Sequence, residues 1–435
     1  MISAEQFSER RAEFMRMIGA DGVALIPGGQ LQTRNNDVHF PFRQDSDFWY
    51  LTGFDEPDAL LVLAPGRQQG STVLFCRDRD PERERWDGVR VGVEQARERY
   101  GFDDTFPIEV LDDVAPGLLE GYDRILYNLG RSAFYDNKVI NWIQRLHGGQ
   151  RKSRHPPEEL VSLTHSLHEL RLFKSKQEIK AMQQAAKISA AAHQRLMQIC
   201  RPGMNEAELG ATLHYEFMRQ QCQASYLPIV GGGNNACILH YIDNNQPLRD
   251  GDLVLVDAGC EAHKYAADIT RTFPVNGRFS AEQKALYEIV LEAQLAAIAE
   301  ARPERSWIGM HDAATRVIAQ GLLDLGLIKG SLEEVLEAKS YEPFFMHKTG
   351  HWLGLDVHDV GDYKVDDQWR QLEKDMVLTV EPGIYISADN HQVDERWRGI
   401  GIRIEDDVLV TRQQPKVLSS DAVKTVADIE SLMND

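Results

Sequence analysis

Residues 253–273 read LVLVDAGCEAHKYAADITRTF, two apolar stretches that each hold an aspartate. The run that ends at Asp257 predicts one β-strand and residues 265–273 predict a second, with a hairpin loop near residues 261–264. If the hairpin turns about its midpoint, Asp257 lies opposite Asp268, and opposed residues point to the same face of a sheet. Alone, each aspartate is more typical of a turn. Together, two ionised carboxylates repel each other unless a cation such as a divalent metal ion offsets the repulsion.

A second stretch concentrates histidines. Residues 347–358 read HKTGHWLGLDVH, with histidines at the first, fifth and last positions. A single histidine is more often structural than a ligand. Three in so short a stretch, interrupted by glycine and without strong helical periodicity, favour a functional site.

Two further predicted strands carry glutamates. Residues 376–383 read MVLTVEPG, so Glu381 ends a largely apolar strand where proline and glycine break it. A glutamate buried there alone would be costly. Residues 401–410 read GIRIEDDVLV, and their alternation places Arg403 and Glu405 on one face of the strand. A buried salt bridge is the competing interpretation for Arg403.

Four carboxylates and a histidine carry too much negative charge for one dry site. Two divalent cations would neutralise them. Mixed carboxylate and imidazole donors suit manganese, cobalt, zinc or iron better than calcium. Two such ions a few Å apart can hold a bridging hydroxide that attacks a carbonyl near neutral pH. The pattern therefore predicts a two-metal hydrolase.

The length of 435 residues predicts two domains, with a boundary between residues 171 and 174. We expect an α/β (α+β) chain: a smaller α/β domain at 1–172 and a catalytic domain at 173–435. The basic segment Arg151–Pro157 is interpreted as a connector. In the second domain, periodicity predicts helices and strands, the first helix beginning with a Ser175–Glu178 capping box. The helices are expected at 175–200, 205–221, 280–301 and 308–326, and the strands at 252–259, 264–272, 376–386 and 400–411.

Composition excludes several classes of partner. The chain has 48 basic and 67 acidic residues, a formal net charge of -19, which argues against nucleic acid and anionic membranes as partners. No apolar run of membrane-spanning length is present, and no signal peptide is expected. The five cysteines are scattered and form no CxxC pair, which favours reduced thiols and a cytoplasmic protein.

The motifs, taken together, resemble the signature of the pita-bread metallopeptidases, the group that includes methionine aminopeptidase, prolidase and aminopeptidase P. Residues 42–54, FRQDSDFWYLTGF, look like the N-terminal domain of aminopeptidase P, and the resemblance covers the whole chain. The matching motifs of the second domain are Asp257-Ala-Gly, Asp268-Ile-Thr-Arg-Thr-Phe-Pro, His347-Lys-Thr-Gly-His351, Glu381-Pro-Gly and Arg403-Ile-Glu405.

This resemblance implies a ligand set. Asp257 would chelate one metal ion, Asp268 and Glu405 would bridge both, and His351 and Glu381 would complete the other. The bridging hydroxide would be the nucleophile and Glu381 the proton acceptor. Manganese is the family's usual metal, with zinc or cobalt possible.

The resemblance also implies roles for residues that bind no metal. His240 and His358 would line the substrate pocket and support the tetrahedral intermediate, where a donor aimed at the oxyanion acts mostly on the transition state. Arg403 would hold the carboxylate network, and His347 would be a further active-site histidine. Tyr385 on the pocket wall is another candidate. A substrate contact is also a candidate role for Trp86, for which ordinary packing is an equal alternative.

The implied substrate is a peptide with proline second, whose scissile bond is a tertiary amide without an N–H. A homotetramer or dimer is implied as well. Lys348 departs from the family, which usually has a small residue after the first histidine; it either alters the approach to the pocket or points to solvent.

Three alternatives stay open. Prolidase uses the same ligands on dipeptides, and a non-catalytic binding module shares the fold but typically loses ligands, all five of which are present here. A two-metal phosphoesterase would be expected to have a phosphate-cradling loop, yet the glycines at 231–233 lack the following lysine.

Overall fold

The structure is a computed structural model that describes residues 2–148 and 155–434. The chain divides into two compact units, Met1–Arg171 and Leu172–Asp435. Most of the predicted connector at 151–157 lies outside the described residues. Within the described ranges, no helix is long and apolar enough to cross a membrane.

The N-terminal unit is built on a six-stranded mixed sheet with the strand order β6-β5-β4-β1-β7-β8. In this sheet β4 pairs antiparallel with β1 and with β5, and the other neighbouring strands pair in parallel. Apolar strand residues such as Leu25, Val62 and Phe75 pack with Trp142 in one buried core. The strands are β1 Gly22–Pro27, β2 Thr33–Asn35, β3 Val38–His39, β4 Leu60–Leu63, β5 Thr72–Cys76, β6 Asp104–Pro107, β7 Arg124–Leu126 and β8 Glu159–Val161, and the helices are α1 Ala4–Ile18, α2 Ser46–Thr52, α3 Glu84–Asp87, α4 Gly92–Tyr100, α5 Leu111–Leu119, α6 Ala133–His147 and α7 Thr164–Leu172.

The C-terminal unit combines several small antiparallel sheets with long helices. Three sheets have the orders β10-β11-β14, β13-β12-β9 and β17-β20-β21, and two further pairs are β18-β19 and β15-β16. The strands are β9 Gln223–Ala224, β10 Ile229–Gly232, β11 Leu253–Asp257, β12 Cys260–Ala262, β13 Tyr265–Ala266, β14 Thr270–Pro274, β15 Lys364–Val365, β16 Gln368–Trp369, β17 Val377–Val380, β18 Gly383–Ile386, β19 Ile400–Arg403, β20 Asp406–Leu409 and β21 Lys416–Val417, and the helices are α8 Lys176–Ile199, α9 Glu206–Met218, α10 Ala281–Glu300, α11 Trp307–Asp324, α12 Leu332–Glu337 and α13 Val426–Asn434.

The helix predictions are confirmed because local signals set the helix ends. At the start of α8 the Glu178 N–H donates to Ser175 Oγ at 3.3 Å, and the Ser175 N–H donates to Glu178 Oε2 at 2.8 Å. The same reciprocal capping box begins α9 at Asn205 and α10 at Ser280. Such caps satisfy N–H groups that the helix itself leaves unpaired.

The prediction of continuous strands is wrong for three of the four ranges, because those three are interrupted. The strand expected at 376–386 splits into β17 and β18 around Glu381 and Pro382, where proline has no N–H for a ladder. The strand expected at 400–411 splits into β19 and β20 around Glu405. The strand expected at 264–272 splits into β13 and β14 around Asp268, whereas the strand expected at 252–259 is confirmed as β11, which ends at Asp257. At each break the backbone is irregular, so the carboxylate there does not have to follow the alternating side-chain directions of a regular strand.

The expected pairing of Asp257 with Asp268 is also wrong. Asp257 faces Thr270, because the hairpin turns at His263 and Lys264, later than the assumed midpoint. Both turn residues have positive φ, 52° and 69°, as a two-residue hairpin turn requires. Asp268 therefore lies two residues before the partner of Asp257, just ahead of β14. Because side chains alternate with a period of two, it stays on the same side of the hairpin as Asp257.

Lys174 ties the start of α8 to the segment that follows His358. Its Nζ donates to Asp359 Oδ2 at 3.0 Å and to the Leu172 carbonyl at 3.2 Å, and the Lys174 and Asp359 side chains are each 1% exposed. Breaking such a buried pair by removing one partner is strongly destabilising.

We expect Lys174→Met to lower the free energy of unfolding by about 3–5 kcal/mol, because the ion pair between Lys174 and the Asp359 carboxylate is then lost in a dry environment. Differential scanning calorimetry checks this as a lower Tm of the C-terminal transition. Lys180→Met, at an exposed position of α8, is the matched control. Equal Tm values for the two variants would contradict the prediction.

Candidate metal centre

A cavity of about 280 Å³ in the C-terminal unit collects most of the predicted site residues. They come from strand breaks and loops that are far apart in the chain. The cavity is lined by Asp257, Asp268, His351, Glu381 and Glu405, and by His240, His347, His358 and Arg403, with Leu239, Lys348 and Gly350 completing its wall.

The carboxylates converge because the two strand pairs are bonded to each other at their breaks. The Glu405 N–H donates to the Thr270 carbonyl at 3.1 Å, and Thr270 Oγ1 donates to Glu405 Oε2 at 2.7 Å. These bonds join the end of β19 to the start of β14. Glu405 is thereby held beside Asp268, although 137 positions (405 minus 268) separate them in the chain.

His351 supplies the imidazole of the cluster. Its Nδ1 donates to the Trp352 carbonyl at 3.0 Å, which leaves Nε2 directed at the carboxylates. Nε2 lies 3.4 Å from Asp268 Oδ2 and 3.6 Å from Glu381 Oε1. Asp268, His351 and Glu405 offer ligand atoms that all lie within 4.8 Å of one another. One divalent cation fits this donor set.

The protonation equilibria show that the cluster is short of positive charge. Burial raises the pKa of Glu381 to about 7 and that of Glu405 well above its usual range, where neighbouring carboxylates add to the effect. Burial alone would lower the pKa of His351, but Asp268 and Glu381 outweigh it and raise the pKa to about 9. Protons and a divalent cation would therefore compete for these donors.

Arg403 is the buried salt bridge that its strand position allowed, and it also faces the cavity. It is 4% exposed and donates to Asp257 Oδ2 at 2.7 Å, to Tyr385 Oη at 3.0 Å and to Thr270 Oγ1 at 3.2 Å. The guanidinium of Arg403 is therefore already bonded to side chains of the site and its wall. Tyr385 is 2% exposed and lies behind that wall rather than on it.

The remaining three histidines have different environments. His347 Nδ1 donates to the Lys348 carbonyl at 2.8 Å, so Nε2, 2.8 Å from Tyr385 Oη, accepts a hydrogen bond. Burial and the nearby Arg403 lower the pKa of His347 to about 4, which makes it a neutral ring. The His358 ring lies edge-on to His351, with centroids 4.3 Å apart, and His240 is exposed at the rim.

Sequence reasoning missed two residues that contact the cluster. Tyr226 Oη lies 2.5 Å from both Asp257 Oδ1 and Asp268 Oδ1. Asp407, 1% exposed, accepts hydrogen bonds from the Asp268 N–H at 3.2 and 3.4 Å. The consecutive acids after Glu405 in an apolar strand were a usable signal for Asp407. No local signal marks Tyr226, because it reaches the site only through the pairing of β9 with β12.

Trp86 lies in α3 of the N-terminal unit and is 86% exposed. The alternative of ordinary packing therefore fails within this unit. Trp86 is not among the residues that line the cavity.

The chain matches two family models, Metallopeptidase family M24 over residues 180–412 and the aminopeptidase P N-terminal domain over residues 7–127. An Xaa-Pro aminopeptidase of Haemophilus influenzae is 46% identical over 434 residues, covering 100% of this chain and 98% of the relative. The Xaa-Pro aminopeptidase of Escherichia coli is 44% identical, covering 99% and 98%.

Solved structures agree. Aminopeptidase PepP of Pseudomonas aeruginosa superposes with a TM-score of 0.99 at 51% identity, covering 100% of this chain and 98% of that chain. Zinc-substituted Escherichia coli aminopeptidase P in complex with product gives a TM-score of 0.97 at 43% identity, with coverages of 100% and 98%.

Fold and site together define a metallopeptidase. The chain belongs to metallopeptidase family M24 and, within it, to the aminopeptidase P enzymes. The expected pita-bread catalytic domain and the aminopeptidase P type of N-terminal domain are thereby confirmed.

Proposed function

We propose that this protein removes the first residue from peptides whose second residue is proline, at a centre of two divalent metal ions. The observation that carries this proposal is the convergence of five donor residues in one cavity of the C-terminal unit. The names of the relatives supply the substrate class, an Xaa-Pro peptide.

In this proposal Asp257 would hold one metal ion, Asp268 and Glu405 would be shared by both, and His351 and Glu381 would hold the other. Manganese is the proposed metal, with zinc or cobalt as substitutes; one relative has been solved with zinc. When bound, the two ions would supply an activated hydroxide as nucleophile and would polarise the scissile carbonyl.

The other side chains prepare the site for the reaction. Glu381 lines the cavity beside the other carboxylates and would accept and return a proton during the reaction. His240 and His358 line the cavity, where an imidazole N–H can donate to the oxygen that becomes negative in the transition state. Arg403 donates to Asp257 and holds its carboxylate in place. Neutral His347, bonded to Tyr385, borders the substrate.

Several broader assignments belong to the same proposal. The aminopeptidase P domain comprises residues 1–172 and the catalytic domain residues 173–435. Trp86, an exposed indole, contributes to substrate binding directly, and Tyr385 contributes from behind the cavity wall by holding His347 and Arg403. The protein assembles as a homotetramer or dimer and works in the cytoplasm, where its five free cysteines stay reduced.

The deciding experiment compares release of the first residue from an Xaa-Pro-Xaa tripeptide and an Xaa-Pro dipeptide, with added manganese. Cleavage of the tripeptide that a chelator abolishes supports the proposal. Cleavage of the dipeptide alone would indicate a prolidase. Cleavage of neither, with manganese, cobalt and zinc all tested, would favour a binding module.

Metal affinity should depend on pH. His351 has a pKa of about 9 and Glu381 of about 7 in the metal-free protein, so both hold protons that a metal ion must displace. We therefore expect the apparent affinity for manganese to rise by up to about ten-fold per pH unit between pH 7 and 9. Isothermal titration calorimetry at three pH values measures this, and proton release should shrink as pH rises. An affinity independent of pH would contradict the assignment of His351 as a ligand.

A further inference from the structure

Lys348 is an exposed cation on the wall of a cavity that is otherwise rich in carboxylates and imidazoles. Its backbone carbonyl accepts from His347 Nδ1, which fixes the main chain at this point. In the described ranges, no carboxylate lies within ion-pair distance of its Nζ. Lys348 influences two titratable groups nearby: burial raises the pKa of Asp312 and Lys348 lowers it, and burial and Lys348 both lower the pKa of His311.

The other cation of the cavity is not free to bind a ligand. Arg403 is 4% exposed and gives its N–H groups to Asp257, Tyr385 and Thr270. When His351 serves as a metal ligand, an incoming anionic group therefore finds one accessible cationic side chain among the lining residues, that of Lys348. Elsewhere on the wall it meets carboxylates and imidazoles, or metal ions that these donors would hold.

A peptide substrate carries such an anionic group beyond the scissile bond. Its cationic N-terminus and first carbonyl must lie at the metal centre, so the residue after proline lies toward the mouth of the cavity. In a tripeptide that residue carries the C-terminal carboxylate. In a longer peptide it carries a carboxylate only when its side chain is acidic.

We propose that Lys348 forms a carboxylate-binding subsite for the residue that follows the substrate's proline. This inference rests on the proposed function, since it concerns the same cavity. Lysine acts there as a flexible point charge rather than a bidentate clamp, so it accepts either source of carboxylate. Because the side chain is solvated, the effect is modest, about five-fold in KM, and it weakens as salt screens the charge.

The test uses the full-length, manganese-loaded protein and two matched substrate pairs. The first pair is Ala-Pro-Ala with a free carboxylate and the same peptide as its amide. The second pair is Ala-Pro-Glu-amide and Ala-Pro-Gln-amide. Wild-type protein should show a KM about five-fold lower for the carboxylate member, with kcat within two-fold. The first pair reports the C-terminal carboxylate and the second the acidic side chain.

Lys348→Gln should abolish the preference and Lys348→Arg should retain it, since only the charge is at issue. Lys339→Gln is the control, because Lys339 is 63% exposed and pairs with Glu342 at 3.3 Å outside the cavity. A preference that survives in Lys348→Gln would overturn the proposal, and so would a wild-type protein that cleaves all four peptides with equal KM. If none of the four is cleaved, the proposed function itself has failed.

Discussion

Glu405→Gln is expected to lower kcat/KM for an Xaa-Pro-Xaa tripeptide by more than ~100-fold. Mutating a residue that only supports a metal ligand already lowers metal affinity or activity by about 10–100-fold. Glu405 is 1% exposed and is the proposed bridge between both metal ions. An amide oxygen carries no charge with which to neutralise them. Its Oε1 can still accept the hydroxyl of Thr270, so the local packing is kept.

Stability separates this loss of activity from misfolding. Burial and neighbouring carboxylates raise the pKa of Glu405 well above its usual range, so the ionised side chain opposes folding near neutral pH when metal is absent. The metal-free variant should therefore have a Tm equal to or above that of the wild type. Added manganese should raise the Tm of the wild type and not that of the variant.

Glu337→Gln, an exposed change of the same kind on α12, is the control and should behave like the wild type in every assay. The readouts are metal content by mass spectrometry, Tm with and without manganese, and tripeptide turnover. Asp268→Ala should likewise lose tripeptide turnover. Near-normal turnover in either variant would rule out a two-metal centre built on these bridges.

His358→Ala is expected to lower kcat by roughly 10²–10³-fold, the usual cost of removing a donor that stabilises a developing oxyanion. His358 lines the cavity and its ring lies edge-on to His351, 4.3 Å between centroids, without belonging to the carboxylate cluster. Metal content should therefore stay at the wild-type level, and KM should change less than kcat.

The control is His391→Ala, which removes an exposed imidazole far along the chain from the histidine segment. Steady-state kinetics and metal analysis on the same samples separate the two possible roles of His358. Loss of metal from His358→Ala would show that this residue is a ligand, and would call for a different account of His351. Wild-type kcat would remove His358 from the reaction.

Local signals explain how much could be predicted. The capping boxes at Ser175 and Ser280 set helix ends because a cap involves neighbours three residues apart. Donor side chains in apolar strands identified the cluster, since burying such a charge needs compensation wherever the strand lies. The turn at His263 and Lys264 was misplaced, because strand alternation is the same after a shift of two residues.

The sequence by itself determined the family, the two-domain organisation it implies and the chemical character of the site, because ligand identity is a property of single side chains. Only the tertiary structure decided where the strands break, that Thr270 joins Glu405 to the hairpin, and that Tyr226 and Asp407 complete the surroundings of Asp268. It also placed Lys348 on the cavity wall. These contacts join residues distant in the chain, and hydrophobic burial and strand register bring them together only when the whole domain folds.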